Sequence, residues 1–361
     1  MSSDDDDGPK LPQDVVVEIL KRLPVGSLLR FRCVCRSWRS TIDDPCFVAL
    51  HLNHSALNAS HRYLACLNWY DPDQRPCSLF PNESLALHSR SPIEIPSVDP
   101  VNAYSLVGSC NGLICFTDVI GGTRDRTMCL WNLFTRKHKV VWARHLETYN
   151  EALGFGFDAR SNDYKILRIL YCQDDINRVE IYSLRTDSWR SLEREVPAFC
   201  PDQSSVFLNG KLYWLVYKHG DPQSRGWYGS IVSFDLAGEV FDEMTLRETF
   251  HEDAMVRLAV LDDSLAVFNN FRDAAVYSAP YSICSVWILR EHSGHESWTK
   301  LYSLKVCGVL TEVHGFMRNG ELLVEIDDQK FSWNPITGQY TDLPLSRQCD
   351  LVTVVESLVS L

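Results

Sequence analysis

The sequence predicts two unlike parts: a small all-α module near the N-terminus, and a large all-β domain built as a β-propeller of about six four-stranded blades. Three observations carry that expectation. Apolar residues recur at helical spacing between residues 11 and 53. After residue 60 the pattern changes to short strands separated by tight-turn residues. Those strands form a two-hairpin unit that recurs at a spacing near ~50 residues, and four strands per period of that size is what a propeller blade requires.

The chain has 361 residues, of which 45% are hydrophobic and 23% charged, enough for a large core. Residues 1–10, MSSDDDDGPK, read as a solvated acidic tail and are the opposite of a signal peptide. The helical module spans residues 11–53. It opens at Leu11-Pro12, where a proline costs no hydrogen bond because the first helical N–H groups have no partner anyway. Val15, Val16, Ile19, Leu20 and Leu23 make one apolar stripe, and Pro24 stops that helix. Ser27 reads as the N-cap of a second helix through Leu28, Leu29 and Phe31. Val34, Trp38 and Ile42, spaced by four, mark a third helical face. Pro45 and Phe47 close the module, and His51-Leu52-Asn53 ends it. Ile19 and Trp38 are expected in its core. Residues 54–61, HSALNASH, hold no Gly or Pro and read as an ordered junction.

Residues 62–361 are the propeller domain. Five blades are predicted at 106–142, 152–193, 205–244, 256–302 and 313–343, with a sixth in the less regular stretch 61–100. The Asn-Gly pairs at 111–112, 209–210 and 319–320 are strong hairpin signals. Leu351–Val355 is predicted to pair into the first blade and close the ring, which removes the edges of an open array. Trp131, Trp189, Trp214, Trp298 and Trp333 recur in blade strands and are expected to pack between blades.

A module of about forty residues is marginal as a self-sufficient core, so a partner covering part of its apolar surface is expected. Lys21, Arg22, Arg30, Arg32, Arg36 and Arg39 put six basic residues in nineteen around that surface, a rim suited to an acidic partner. Nucleic acid would compete for such a patch, but the net charge of −12 argues against it. No apolar run approaches the roughly eighteen residues that span a bilayer, so no membrane partner is expected. The 13 cysteines include no C-x-x-C pair; Cys33 and Cys35 sit among arginines, and most of the others, such as Cys110, Cys115 and Cys129, read as small buried hydrophobes in a reducing compartment, the cytoplasm and/or nucleus.

Catalytic and metal motifs are weak. Gly154-Phe155-Gly156-Phe157-Asp158-Ala159 fits a dinucleotide fingerprint in letters. Phosphate binding needs a helix N-terminus after such a turn, whereas Tyr164–Leu170 alternates like a strand. His292 and His295 sit in a polar hairpin loop with no helix to set their spacing. No His-Glu-x-x-His, Gly-x-Ser-x-Gly or Walker-type loop occurs. No cofactor is expected.

The module resembles an F-box, the segment that docks a substrate receptor onto the Skp1-type adaptor of a cullin–RING ubiquitin ligase. The remainder resembles the F-box-associated domain of a large plant family, some members of which are called F-box/kelch-repeat proteins. The matching pieces include SCNGLICF (109–116), LWNLFTRK (130–137), LGFGFDARSNDYKILRI (153–169), VEIYSLRTDSWRSL (179–192), FLNGKLYWL (207–215) and FSWNPITGQYTDLPL (331–345). These are not standard kelch repeats, since Gly121-Gly122 is the only Gly-Gly doublet, and the Trp-Asp of WD40 repeats does not occur. Gly26 departs from the family pattern, in which a lysine is frequent at that place.

The resemblance implies a non-catalytic receptor subunit whose F-box holds the adaptor while its propeller captures a protein target for ubiquitination and proteasomal degradation. It places adaptor contacts at Leu11, Pro12, Val15, Ile19, Leu23, Pro24, Leu28, Val34 and Trp38. Two other readings stay open: a propeller enzyme or small-molecule binder capped by the helices, and an F-box scaffold acting outside a ligase. For the target, the longer connections between second and third strands share one propeller face: 119–127, 172–178, 218–229 and 271–282. Arg124, Arg126, Arg225, Trp227, Tyr228, Phe271 and Arg272 are the expected anchors there.

Overall fold

The computed structural model describes residues 11–68, 76–81, 93–96, 104–118, 125–144, 148–172, 177–196, 205–219, 227–246, 255–261, 263–271, 282–292, 295–308, 310–317, 319–343, 345 and 349–361. Four helices come first: α1 (Gln13–Leu20), α2 (Val25–Phe31), α3 (Arg36–Asp43) and α4 (Pro45–Leu57). A 3₁₀ turn over Ala59–His61 leads directly into the first strand.

Three boundaries differ from the sequence reading. Helix α2 begins at Val25 on Pro24, two residues before the expected Ser27 cap. Val34 precedes α3, whose N-cap is Cys35, with the thiol accepting from the Trp38 N–H at 3.5 Å. Pro45 opens a fourth helix, with the Asp44 carboxylate accepting from Cys46 N–H at 2.7 Å. A proline at the first helical turn fits there without losing a bond. Helix α4 therefore runs across the expected boundary at Asn53, and half of the junction is its last turn.

The β domain is a six-bladed propeller. The closing blade joins β1 (Arg62–Leu67), β2 (Pro76–Pro81) and β3 (Ile93–Glu94) to the final strand, β24 (Asp350–Val355). The next two blades are β4 (Tyr104–Cys110), β5 (Leu113–Asp118), β6 (Arg126–Asn132) and β7 (Lys137–Ala143), then β8 (Thr148–Asp158), β9 (Asp163–Cys172), β10 (Arg178–Ser183) and β11 (Ser188–Leu192). Then come β12 (Val206–Leu208), β13 (Lys211–His219), β14 (Trp227–Asp235) and β15 (Val240–Thr245), and after them β16 (Met255–Leu261), β17 (Ser264–Phe271), β18 (Ser282–His292) and β19 (His295–Val306). The sixth set is β20 (Leu310–Phe316), β21 (Leu322–Ile326), β22 (Gln329–Trp333) and β23 (Tyr340–Asp342). All pairings are antiparallel, and β24 pairs with β1 from Arg62↔Val355 to Leu67↔Asp350. The ring is thus closed by strands from opposite ends of the domain.

Local chemistry sets the tight turns. Asn111 and Gly112 have φ of 52° and 80°, and Asn209 and Gly210 have 49° and 81°. Two successive left-handed residues are what a type I′ hairpin needs. Asp327 and Asp328 adopt the same region, at 50° and 61°, so the sixth set has a tight connection where other blades have longer ones.

The core lies between blades. Trp131 packs with Tyr63, Ile93 and Val354 of the closing blade. Trp214 packs with Leu167 and Ile181 of the preceding blade and donates its indole N–H to Leu153 O at 3.3 Å. Trp333 packs with Phe268 and Val286. Trp189 and Trp298 are half-buried, and Trp189 bridges two blades through its N–H to Trp142 O at 2.9 Å. Gly154 and Gly156 lie inside β8, followed by strand β9, not by a helix. A Cβ on Gly156 would stand 2.3 Å from the Phe207 ring, so this glycine lets the next blade approach. A buried ion pair ties the same blades: Lys165 Nζ reaches Asp158 at 2.8 Å, Leu236 O at 2.8 Å and Glu239 at 3.4 Å.

Candidate functional site

The helical module presents one apolar face to the propeller and another to solvent. Leu20, Val25, Leu28, Ile42 and Phe47 form its buried core. Leu11, Val15, Ile19 and Val34 are exposed by 61%, 39%, 48% and 63%. Leu11, Val15 and Ile19 are spaced by four and share one side of the first helical segment. Pro12 and Pro24 are also exposed, as helix caps; Leu23 and Trp38 are half-buried, with the Trp38 ring 5.1 Å from Phe31.

Two expectations are corrected here. Leu28 is completely buried, so it builds the module and cannot touch a partner. Ile19 is not core: Leu20 takes that place, because the helix is rotated so that Leu20 faces Leu28. The basic rim is also partly neutralised. Glu18 holds Lys21 at 2.6 Å and Arg22 at 2.9 Å, and Asp43 holds Arg32 at 2.6 Å and Arg39 at 3.7 Å. Gly26 is exposed and a Cβ there would meet nothing, so a larger residue would fit without strain.

The last six residues bolt the module to the propeller, which sequence reasoning missed. Glu356 is buried, and its carboxylate accepts from Val25 N–H at 3.1 Å, meets His61 Nδ1 at 3.0 Å and accepts from Tyr63 OH at 3.4 Å. It therefore caps α2 from the far end of the chain, where an anion is favoured by the free N–H groups of the first turn. Asn132 Nδ2 donates to Ser357 O at 3.0 Å and to Val359 O at 2.9 Å, and Leu358 enters the module's core beside Leu20 and Val25. On the module's side, His51 is fully buried and its Nε2 meets Leu23 O at 3.1 Å; burial pushes its pKa down. The only signal for this bolt in the sequence was an apolar run, SLVSL, after the last strand.

A cleft of about 1030 Å³ lies between α2–α4 and the propeller, lined among others by Leu29, Arg32, Val48, Asn111, Asn162 and Arg185. Asn111, Asn162 and Arg185 belong to turns between first and second or third and fourth strands. The module thus sits on the tight-turn face, and Arg126, at the start of β6, lies at the opposite end of the propeller.

Of the anchors expected at that far end, Arg126 is described. It is tied into a network: Arg126 Nε stands 3.6 Å from Glu151, and Arg168 reaches Glu151 at 2.6 Å and Glu180 at 3.2 Å. That pairing makes Arg126 a strut between two blades, a correction to its reading as a free anchor. Arg124, Arg225 and Arg272 lie outside the described residues, as do the side chains of Trp227, Tyr228 and Phe271.

The propeller enzyme alternative calls for a polar catalytic cluster in the central channel; the polar cluster on β20–β22 is packed within one blade. His314 Nε2 stands 3.4 Å and Lys330 Nζ 3.1 Å from Glu325. Burial alone would raise the Glu325 pKa, but bonds from His314 and Lys330 outweigh it and bring it down. Glu312, on the inner strand, is pushed up by burial. The nearby Thr311 hydroxyl donates to the Glu325 main-chain carbonyl at 3.2 Å. The cluster is a buried polar network that joins three strands.

Two family models match the chain: an F-box domain over residues 9–50 and an F-box associated beta propeller domain over residues 78–333. Among curated relatives, an F-box/kelch-repeat protein of Arabidopsis thaliana is 27% identical, covering 81% of this chain and 79% of its own length. An F-box protein of the same plant is 26% identical over 92% of this chain and 87% of its own. Among solved structures, TolB from Acinetobacter baumannii is similar with a TM-score of 0.46 at 12% identity, covering 86% of this chain and 73% of that one.

Proposed function

Because the chain belongs to the F-box-associated β-propeller family and carries an F-box domain, we propose that it is the substrate-recognition subunit of a Skp1–cullin–F-box ubiquitin ligase. The observation that carries this reading is the exposure of Leu11, Val15, Ile19 and Val34 on a module whose opposite side is already packed on the propeller. Large apolar side chains clustered in water favour a partner that covers them. Leu11, Pro12, Val15, Ile19, Pro24 and Val34 then contact the Skp1-type adaptor, with Leu23 and Trp38 lending their exposed edges. Leu28 holds the module in shape.

The far face of the propeller captures the protein target, and Arg124, Arg225, Trp227, Tyr228, Phe271 and Arg272 remain its proposed anchors. Ubiquitin transfer needs a target lysine held near a loaded conjugating enzyme, so the receptor supplies proximity and orientation and no bond chemistry. The Glu356 bolt supports this, since it fixes the adaptor end to the target end. Degradation of the target and residence in the cytoplasm or nucleus go with the same reading, which the many free thiols fit.

The test is co-precipitation of the full chain with a purified Skp1-type adaptor. Leu11→Ala combined with Pro12→Ala should abolish binding and leave the melting curve unchanged. Full binding by that folded double variant would refute the docking face.

A further inference from the structure

Ring closure contains a chemical feature that the receptor role does not use. Cys66 lies on β1, and Cys349 immediately precedes β24, the strand paired with β1. The two sulfur atoms stand 2.6 Å apart, between chain positions 283 residues distant. Both side chains are almost completely buried, in a cluster with Leu64, Leu323 and Leu351. The pairing of Cys66 with Leu351 puts Cys349 two residues further along the same strand direction, on the same face as Cys66.

We propose that Cys66 and Cys349 form a reversible disulfide that covalently closes the propeller ring when the cell meets a hydroperoxide. A disulfide is ~2.05 Å long, so the sulfurs need to move by only about half an ångström. Cys349 accepts a hydrogen bond from the Cys66 thiol and feels the buried Lys330 ammonium, and both lower its pKa. The same hydrogen bond, followed by burial, raises that of Cys66. Either sulfur can attack first, and the balance of the reaction is the same in both cases; with Cys349 as the first, Cys66 resolves the intermediate.

The step balances with the peroxide as the sole oxidant. Cys349 gives up its proton and its sulfur attacks one peroxide oxygen, breaking the O–O bond. A sulfenic acid forms, and the departing hydroxide takes up the proton as water. The Cys66 sulfur then attacks the Cys349 sulfur, and the hydroxyl leaves with the Cys66 proton as a second water. Two thiols lose two electrons in all, and the peroxide gains two. A low-molecular-weight thiol reverses the bond by exchange.

The consequence is mechanical. Without the bond, the two chain ends are held by the β1–β24 ladder and its packing, and β24 leads directly into Glu356. A covalent link there removes the opening of the ring from the unfolded ensemble over a very long loop, where such a link has most effect. It also keeps Glu356 in place on α2, so the module stays seated under conditions that loosen other proteins.

The experiment uses the purified full chain, titrated with hydrogen peroxide and then denatured, alkylated and mapped by mass spectrometry without reduction. The expected product is one peptide pair joining Cys66 to Cys349, lighter by two hydrogens. The melting temperature should rise by roughly 5–10 °C and return on adding dithiothreitol. Cys349→Ser should lose both effects. The exposed Cys33, Cys35, Cys46 and Cys307 serve as internal controls for peroxide reactivity. The proposal is overturned if Cys66 and Cys349 are both still alkylated after those controls have oxidised, or if Cys66 is found joined to Cys77. Should Cys349→Ser fail to fold, the wild-type mapping alone decides between these results.

Discussion

The helical module and the propeller solve the problem of apolar surface in opposite ways. The propeller pairs each blade with the next, so that Trp131, Trp214 and Trp333 are all buried at 4% exposure or less. The large apolar residues it exposes, such as Trp142, Val240, Ile283 and Ile336, are scattered along the chain. The module is too small to do this. It borrows Leu358 and Phe134 from the propeller for its inner side and leaves Leu11, Val15, Ile19 and Val34 outside. Charge differs too: the described ion pairs within the module stand at its surface, while the propeller has surface pairs such as Lys139–Asp187 and also buries Lys165–Asp158 and Lys330–Glu325. One part is finished by its own chain, and the other is built to be finished by a partner.

The comparison breaks most visibly if a blade interface is hollowed out. Trp214→Ala should cost about 3–5 kcal/mol of stability, the usual penalty for removing a buried aromatic side chain. Thermal or urea unfolding checks it, and a loss below ~1 kcal/mol would mean that neighbouring blades collapse onto the cavity.

Next in size is the bolt. Glu356→Ala leaves Val25 N–H and His61 without their shared acceptor, and each buried orphan costs about 1–3 kcal/mol. The module should then detach before the propeller melts. Limited proteolysis should show early cleavage among residues 54–61, with the β domain intact. Cleavage at an unchanged rate would show that Leu358 and Asn132 suffice to hold the tail.

Acid should sharpen the contrast by acting on the propeller first. Burial alone would raise the Asp158 pKa, but the Lys165 ammonium, with Ser161 and the Arg160 N–H, holds it at about 2. A carboxylate whose folded pKa lies below its unfolded value adds stability above the unfolded value, ~3.9, and that stability is lost as pH falls through the folded one. Melting temperature should therefore decline between about pH 4 and pH 2, and Asp158→Asn should flatten the decline in that window.

The smallest effect on stability is expected at the docking face. Ile19→Asp changes a half-exposed residue and should shift stability by less than ~0.5 kcal/mol. It should nonetheless weaken adaptor binding more than about tenfold, by placing a charge in an apolar contact. Isothermal titration and a melting curve on the same sample separate the two. A large drop in melting temperature with normal binding would mean that Ile19 belongs to the core after all.

By itself the sequence determined what local periodicity and turn chemistry encode. The four-spaced apolar residues of the module, the Asn-Gly hairpins at 111–112 and 209–210, the two-hairpin repeat and a final strand that closes the ring were all legible, since each depends on neighbours within a few dozen positions or on a pattern that repeats. Ring closure was readable for the same reason, because five regular blades and one incomplete one leave a single unpaired place. Tertiary structure alone decided the rest. Helix α2 starts at Val25 because a carboxylate 331 residues away caps it, and His61 meets the same carboxylate across 295. Leu20 and not Ile19 faces the core because Leu358 and the propeller fix the rotation of α1. Arg126 is a strut because Glu151 from the next blade lies beside it, and Cys66 meets Cys349 only once the ring is closed. Such contacts have no local signature, since each half is an ordinary residue in its own segment and the energy exists only when folding brings the halves together.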